Sequence, residues 1–202
     1  MQKPLYLFDF DDTLVVTEPL LVMTKGSEKK SVTSAEFRDL KNSNKVDGWE
    51  VDFSAYKDPS KVRDTVLKGR PGPGVALLEK WLKTKDAVFG VLTSRSGDEE
   101  TLAQVLTEFL WGKTKINWRP DPKLVICTNN SKYGMAYTVD ASEQKLYFIN
   151  QLWESKEYER IILVDDDIAH LEAMKKWAAV GKYPKDAGGV QVFGNGRFSW
   201  YF

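Results

Sequence analysis

An apolar run that ends in three acids constrains the fold of this chain more than any other stretch. Residues 7–14 read LFDFDDTL, with Asp9, Asp11 and Asp12 close together. We interpret residues 5–10 as a buried strand, on which alternation sends Asp9 and Asp11 to the same side and Asp12 away. Like charges so close repel strongly at low dielectric unless a cation lies between them. The stretch therefore favours a divalent-metal site over acids that only cap a turn or a helix.

Beyond residue 70 the chain alternates short apolar runs with amphipathic stretches. After the strand at 5–10, the pattern predicts strands at 87–92, 124–127, 161–164 and 190–193, with helices between them. Ser96 followed by Glu99 resembles a capping box at the start of the second of these helices. This order is typical of an α/β protein whose parallel sheet is covered on both faces. We predict a Rossmann-like three-layer sandwich with a five-stranded, mainly parallel sheet.

Residues 15–70 have a different texture, rich in Lys, Ser, Thr and Asp with only short apolar runs. They predict short elements: a hairpin over 20–33 that turns at 25–27, a helix beginning at Thr33 or Ser34, and a strand at 51–53. The apolar periodicity is too weak for a core of its own, so we interpret the segment as a small cap-like insertion over the end of the first strand. The predicted domains are a core of residues 1–14 and 71–202 and an insertion of residues 15–70.

Composition restricts the classes of partner. Lys plus Arg and Asp plus Glu number 29 each among 202 residues, so no whole-molecule field attracts nucleic acid or an anionic membrane. The single cysteine, Cys127, excludes an internal disulfide and fits a reducing compartment. Acids interrupt the apolar N-terminal run, and no stretch approaches the roughly 18 apolar residues of a membrane span. We expect a soluble, cytoplasmic protein without a signal peptide.

Polar residues follow three of the predicted strands. In an open parallel sheet, ligands bind beyond the carboxyl ends of the strands, where the strand order reverses. The residues at these ends are, in chain order, Asp9, Asp11 and Thr13; Thr93, Ser94 and Arg95; and Asp165, Asp166 and Asp167. Together they predict a pocket with carboxylates for a hard cation and donors for the oxygens of an anion.

The order of these motifs resembles the haloacid dehalogenase superfamily. The family pattern DxDxT matches Asp9, Asp11 and Thr13, its hydroxyl matches Thr93, and its acidic pair matches Asp165–Asp166. The family also has a lysine about twenty residues before the acidic pair, where this chain has Lys145. The resemblance covers most of the chain from residue 5 to about 177, apart from the insertion, which occupies the position of a family cap.

The resemblance implies an Mg2+-dependent phosphohydrolase that acts on a phosphomonoester through an aspartyl-phosphate intermediate. Asp9 would be the nucleophile and Asp11 the general acid and base. Thr93 and Lys145 would complete the catalytic set by stabilising the phosphoryl group. The implied Mg2+ ligands are Asp9, the main-chain carbonyl of Asp11, Asp165 and Asp166, and the implied substrate-binding residues are Thr13, Ser94 and Arg95.

Several of these residues have simpler interpretations. Thr93 could cap the helix that follows it, and Asp167 could only start the next helix. Lys123 and Lys132 are alternatives to Lys145, because lysines are common on amphipathic helices. The lone His170, four positions after the acidic pair, is interpreted as a helix-face residue behind the acids rather than a catalytic group.

Two local patterns bear on the substrate. Ser94–Arg95 after Thr93, together with the run DDDIAH, resembles the phosphatase domains of polynucleotide kinase-phosphatases, although Ser94 and Asp167 depart from that pattern. The run 111–119 adds two tryptophans among three basic residues, which is typical either of nucleic-acid stacking or of a solvated loop with its tryptophans anchored in the core. We expect a phosphorylated substrate, with a nucleotide or nucleic-acid end slightly favoured, although the neutral charge does not support nucleic-acid binding.

Two alternative functions remain compatible with the motifs. One is a phosphotransferase or phosphomutase of the same superfamily, and the other is a catalytically silent module that binds phosphate or nucleic acid. An intact set of Asp9, Asp11, Thr93 and Asp165 favours an enzyme over the silent module. The insertion also resembles those of phage-encoded members of the superfamily.

Overall fold

The computed structural model describes residues 2–17, 21–56, 58–133, 140–181 and 186–202. In chain order its elements are β1 (Lys3–Phe8), β2 (Val15–Val16), β3 (Leu21–Lys25), β4 (Glu28–Val32), α1 (Ser34–Asn42), β5 (Glu50–Asp52), α2 (Pro59–Lys68), β6 (Arg70–Pro71), α3 (Gly74–Trp81), β7 (Val88–Thr93), α4 (Glu99–Thr114), β8 (Val125–Cys127), α5 (Ala141–Glu154), β9 (Tyr158–Asp165), α6 (Ile168–Val180), β10 (Ala187–Val192) and β11 (Phe198–Trp200). Single 3-10 turns lie at Ser54–Tyr56, Pro122–Leu124 and Ser131–Tyr133. Within these ranges no helix combines the length and the apolar character needed to cross a membrane.

The main sheet has six strands in the order β11-β10-β9-β1-β7-β8. The five strands from β10 to β8 are parallel and coincide with the five predicted strands, so the α/β class with a mainly parallel sheet is confirmed. The predicted count of five is wrong, because β11 adds an antiparallel strand to β10. This strand is only three residues long and all three are exposed, so it has no apolar run from which it could be predicted.

Helices cover both faces of the sheet. On β1, Leu5 and Leu7 pack on one face in a cluster with residues of α5 and α6. Phe8 packs on the other face in a cluster with residues of α2, α3 and α4. This alternation buries both faces of the central strand and gives the three layers expected of helices on a parallel sheet.

The strand order reverses at the central strand. From β1 the chain moves outward through β7 and β8, and then it returns to the other side of β1 with β9 and β10. Such a reversal leaves a crevice beyond the carboxyl ends of the two strands that flank it, which here are β1 and β9. Their ends carry Asp9 and Asp165, and the Asp9 N–H donates to the Val164 carbonyl at 2.8 Å.

The segment between β2 and β6 contains the predicted short elements. The β3–β4 hairpin turns at Gly26, α1 begins after a capping box made by Thr33 and Glu36, and β5 pairs with β3. Residue 20, included in the predicted hairpin, lies outside the described residues. The segment also has a small buried cluster made by Leu21, Met23 and Val32. The expectation that it lacks any core is therefore wrong, because the alternating residues of a five-residue hairpin strand suffice for a small one.

Helix α2 was not predicted, and it packs on the main core rather than on the small cluster. Val62 and Val66, four residues apart, share one helix face and are buried in the cluster that contains Phe8. Charged neighbours on the other faces obscure this short apolar stripe in the sequence. The end of the predicted insertion thus contributes two side chains to the same core as the sheet.

Helix α4 begins differently from its prediction. The N-cap is Asp98, whose side chain accepts from the Thr101 N–H, so the predicted Ser96–Glu99 capping box is wrong. The Glu99 carboxylate instead accepts from Lys132 Nζ at 2.7 Å and from the Tyr133 hydroxyl at 2.9 Å. These tertiary partners are not apparent from the local sequence.

The turn before α3 supports the loop that carries the acids. The Gly72 N–H donates to the Leu14 carbonyl at 2.9 Å, and the Gly74 N–H donates to the Thr13 carbonyl at 2.8 Å. A Cβ atom on Gly72 would overlap the Thr13 carbonyl, so glycine is required for this approach. The sequence Pro71–Gly72–Pro73–Gly74 therefore fixes the back of the loop at 9–14.

Candidate functional site

The clustered acids lie in a turn rather than on a strand. Strand β1 ends at Phe8, and the Phe10 carbonyl then accepts from the N–H groups of both Leu14 and Val15. Asp12 occupies the left-handed region with φ of 60°. Asp9 and Asp11 line the same cavity, but the turn brings them there instead of strand alternation. Asp12 lines the cavity too, so the prediction that alternation sends Asp12 away is wrong.

The Asp9 carboxylate meets a buried lysine. Lys145 of α5 places its Nζ 2.7 Å from Asp9 Oδ1 and 2.7 Å from Asp165 Oδ2, and its side chain is 1% exposed. The alternatives for this lysine lie elsewhere: Lys132 pairs with Glu99, and Lys123 lies on the exposed turn before β8. The structure thus brings Lys145, rather than either alternative, to the two strand ends.

Burial and charge act in opposite directions on these three groups. Burial raises the pKa of Asp9 well above its usual value, Lys145 only partly opposes this shift, and neighbouring carboxylates add to it. Burial would also raise the pKa of Asp165, but His170 and Lys145 outweigh burial and hold that pKa below its usual value. The pKa of Lys145 is raised despite its burial, because Asp165 and Asp9 stabilise the ammonium.

Thr13 holds the second acid of the pair at 165–166. The Thr13 hydroxyl donates to Asp166 Oδ1 at 3.1 Å and accepts from the Asp166 N–H at 3.1 Å. Thr13 is fully buried and is not among the residues that line the cavity. Its position fits orientation of Asp166 and not the substrate contact that the family resemblance implies.

Three carboxylates form a candidate cation site. Asp9, Asp165 and Asp166 each offer an oxygen, and these oxygens lie within 4.8 Å of one another. Asp9 and Asp165 are buried and share the ammonium of Lys145, and Asp166 adds a third carboxylate to that one cation. Such an oxygen-only set suits a hard divalent ion. The Asp11 side chain is not a member of this group.

Asp11 is paired with Arg95. The Arg95 guanidinium donates from Nε to Asp11 Oδ2 at 2.9 Å and from Nη2 to Asp11 Oδ1 at 2.6 Å. Burial would lower the pKa of Arg95, but Asp11 more than compensates and raises it. In this structure the planar fork of the arginine is therefore used on the candidate acid–base residue.

The end of β7 supplies donors with unused capacity. The Thr93 hydroxyl accepts from the Arg95 N–H at 3.3 Å, and since Asp98 caps α4, the alternative of Thr93 as a helix cap is wrong. Ser94 Oγ and Arg95 Nη1 are buried and have no hydrogen-bond partner within the described part of the chain. Each such group costs about 1–3 kcal/mol unless it is paired, so both favour a ligand with acceptor oxygens.

His170 and Asp167 occupy the start of α6. Asp167 is the N-cap and accepts from the Ala169 N–H, which confirms its interpretation as a helix start. His170 Nδ1 lies 3.0 Å from Asp165 Oδ2 and 3.1 Å from Lys145 Nζ. His170 also lines the cavity, so the expectation that it lies behind the acids is wrong, and it contacts the same lysine and carboxylate from the start of α6.

A cavity of about 410 Å³ opens at these residues. Its floor is formed by the strand ends, namely Asp9, Asp11, Asp12, Thr93, Ser94, Arg95, Asp165 and Asp166. The segment between β2 and β6 supplies an apolar wall made by Leu21, Phe37, Phe53 and Tyr56, with Ser34 and Lys41 beside it. These wall residues belong to no sequence motif and converge only through tertiary packing, so they could not be predicted from the sequence.

The basic run at 111–119 divides between surface and core. Trp118 is 8% exposed and belongs to the main cluster, as the anchored-loop interpretation predicts. Trp111 is 56% exposed on α4, with Lys115 Nζ 5.7 Å from its ring centroid. Trp111 and Lys115 are not among the residues that line the cavity.

Comparison with protein-family models, with curated proteins and with solved structures found no match for this chain.

Proposed function

We propose that the chain is a divalent-cation-dependent phosphatase of the haloacid dehalogenase type, which hydrolyses a phosphomonoester through an aspartyl-phosphate on Asp9. The observation that carries the proposal is the position of Lys145 Nζ, 2.7 Å from both Asp9 and Asp165 at the reversal of strand order. A nucleophilic carboxylate beside a fixed cation, at the floor of a cavity, suits attack on an anionic phosphoryl group.

The carboxylate cluster fits the Mg2+ that the family resemblance implies. Asp9, Asp165 and Asp166 would hold the ion, with the Asp11 main-chain carbonyl as a further ligand. When bound, Mg2+ would neutralise charge on the phosphoryl oxygens. Thr13 would keep Asp166 oriented through its paired hydrogen bonds.

The chain's own groups can account for both chemical steps. An Asp9 oxygen would attack phosphorus as the ester P–O bond breaks, and Asp11 would give a proton to the leaving alcohol oxygen. Water would then attack the phosphorus of the aspartyl-phosphate and pass its proton to Asp11. This attack breaks the bond between phosphorus and the Asp9 oxygen and releases phosphate. A carboxylate has about four lone-pair sites, so the Arg95 fork leaves Asp11 able to exchange a proton.

Donors near the floor would bind the phosphoryl oxygens. The Ser94 hydroxyl and Arg95 Nη1 are buried without partners among the described residues, and both residues line the cavity. Lys145 adds a positive charge beside Asp9. This combination favours an anion with several acceptor oxygens, such as a phosphate ester.

An assay of inorganic phosphate release tests this function. The protein, stripped of metal with a chelator, is incubated with nucleoside monophosphates, aryl phosphates and small alkyl phosphates, and Mg2+ is then restored. We expect release from at least one ester only when Mg2+ is present. Absence of release from every ester with Mg2+ would overturn the proposal.

Cation binding is expected to release a proton. Burial first, and then the neighbouring acids, raise the pKa of Asp9 in the metal-free protein, so at acidic pH the cation must displace a proton from Asp9. Affinity for Mg2+ should therefore increase with pH and level off above the raised pKa. Calorimetric titrations in two buffers of different ionisation heat measure this release, and the Asp9→Asn variant should show none. Equal heats in both buffers throughout the acidic range would contradict the prediction.

The apolar wall is expected to select the leaving group. Pockets of about 300–1,000 Å³ hold whole small molecules, so a cavity of about 410 Å³ has room for more than phosphate. Phe53 is 37% exposed and meets the Phe37 ring edge-on at 5.6 Å. Phe53→Ala should raise KM for aryl or nucleoside phosphates about tenfold and leave KM for small alkyl phosphates unchanged. Trp111→Ala, which removes an exposed aromatic outside the cavity, is the matched control, and equal effects of Phe53→Ala on all esters would contradict the prediction.

A further inference from the structure

The guanidinium of Arg95 contacts two aromatic rings. Its central carbon lies 4.8 Å from the Phe10 ring centroid and 4.7 Å from the Tyr56 ring centroid. The arginine side chain is 1% exposed, so both contacts are made away from water, where cation–π attraction is strongest. An arginine held by two rings in this way can keep its planar fork in one orientation.

The two rings come from different parts of the fold. Phe10 lies in the turn that carries Asp9 and Asp11, whereas Tyr56 ends the 3-10 turn Ser54–Tyr56 within the segment between β2 and β6. The Tyr56 hydroxyl forms a hydrogen bond with the Ser34 hydroxyl at 2.7 Å, at the first residue of α1. One of the two rings that contact the guanidinium therefore comes from the turn after β1 and the other from the apolar wall of the cavity.

Tyr56 acts through its ring and not as a charged group. Burial, and then the nearby Asp11 carboxylate, raise the pKa of Tyr56 above its usual value, so its hydroxyl stays protonated. The ring lies on the guanidinium that donates to both oxygens of Asp11. The chain of contacts thus runs from Ser34 through Tyr56 and Arg95 to Asp11.

We propose that Tyr56 is a positioning residue, which holds Arg95 against Phe10 and thereby fixes the Asp11 carboxylate for proton transfer to the leaving group. The proposal rests on the proposed phosphatase function and adds to it a residue outside the family motifs. It also makes the segment between β2 and β6 part of the acid–base apparatus, because that segment supplies the second ring.

Leaving-group dependence distinguishes positioning from a general structural role. An alkyl phosphate needs a proton on its leaving oxygen, whereas the nitrophenolate of p-nitrophenyl phosphate leaves without one. We expect Tyr56→Leu to lower kcat on an alkyl phosphate by about ten- to a hundredfold and kcat on p-nitrophenyl phosphate by no more than about threefold. Tyr56→Phe, which keeps the ring and loses only the bond to Ser34, should retain near wild-type kcat on both.

A matched variant controls for general damage to the segment. Trp49→Leu removes another aromatic ring from the same segment, one that contacts Lys30 and is not among the residues that line the cavity. Trp49→Leu should not lower kcat on the alkyl phosphate more than kcat on p-nitrophenyl phosphate. Equal loss on both esters in Tyr56→Leu, or a Tyr56→Phe loss as large as that of Tyr56→Leu, would overturn the proposal.

A second readout does not depend on turnover. The Arg95 Nε–H resonance, assigned by its disappearance in Arg95→Lys, should be shifted by the two ring currents and protected from solvent exchange. We expect this shift and protection to persist in Tyr56→Phe and to decrease in Tyr56→Leu, in which the Phe10 ring remains. An unchanged resonance in Tyr56→Leu would refute the positioning role even if phosphatase activity is present. If the shift decreases in Tyr56→Leu but the wild-type protein hydrolyses no ester, the proposed function and the proton-transfer role would be rejected. The contact between Tyr56 and Arg95 would still stand.

Discussion

Asp9→Asn is expected to lower kcat for phosphate release by at least about a thousandfold, because an amide cannot form the aspartyl-phosphate. The variant should remain folded, since Lys145 keeps its contact with Asp165 at 2.7 Å. Steady-state phosphate release with saturating Mg2+ measures the effect, and circular dichroism checks the fold.

Asp86→Asn is the matched control for this substitution. It makes the same change from carboxylate to amide at a residue that does not line the cavity, and the φ of 65° at Asp86 is a conformation that asparagine readily adopts. The Asp86 side chain is 82% exposed, so activity should stay within a few-fold of wild type. An Asp9→Asn variant that is as active as Asp86→Asn would rule out Asp9 as the nucleophile.

Lys145→Met is expected to lower the free energy of unfolding of the metal-free protein by about 3–5 kcal/mol, because it leaves Asp9 and Asp165 buried without their shared cation. The loss should shrink at acidic pH, since burial raises the pKa of Asp9 and the group is then neutral. Saturating Mg2+ should recover part of the loss by supplying positive charge at the same carboxylates. Urea unfolding in chelator and in Mg2+ measures both effects.

Lys68→Met provides the comparison for the stability prediction. Lys68 also makes a 2.7 Å ion pair, with Asp64, but the two side chains are 69% and 62% exposed. Water screens such a pair, so its loss should cost no more than about 1 kcal/mol. If Lys145→Met in chelator were as mildly destabilised as Lys68→Met, the buried charges would not be the source of stability that their geometry indicates.

The residues at the carboxyl ends of the strands could be predicted from the sequence, but the contacts between them could be predicted only in part. Asp9, Thr93 and Asp165 follow strands that their apolar runs predict, and a parallel sheet brings such ends together. The family resemblance assigns Lys145 to the site by its distance in sequence from the acidic pair. The structure brings Lys145 to both Asp9 and Asp165.

The partners of Arg95 and the cavity wall could not be predicted. Arg95 and Asp11 are 84 residues apart in sequence, and no local pattern distinguishes an arginine that binds a carboxylate from one that binds a ligand. Tyr56 lies in a segment whose composition indicates only a solvated, charge-rich surface. Its contact with Arg95 depends on how that segment packs on the sheet, which short apolar runs do not specify.

Trapping the covalent intermediate tests the central claim most directly. The protein is mixed with a hydrolysable phosphomonoester and Mg2+ and quenched with borohydride, which reduces an aspartyl-phosphate to homoserine, and the modified position is read by peptide mass spectrometry. We predict homoserine at position 9, dependent on both substrate and Mg2+, and none in Asp9→Asn. Phosphate release without homoserine at position 9, or with homoserine at Asp11 or Asp165 instead, would contradict the assignment of Asp9 as the nucleophile.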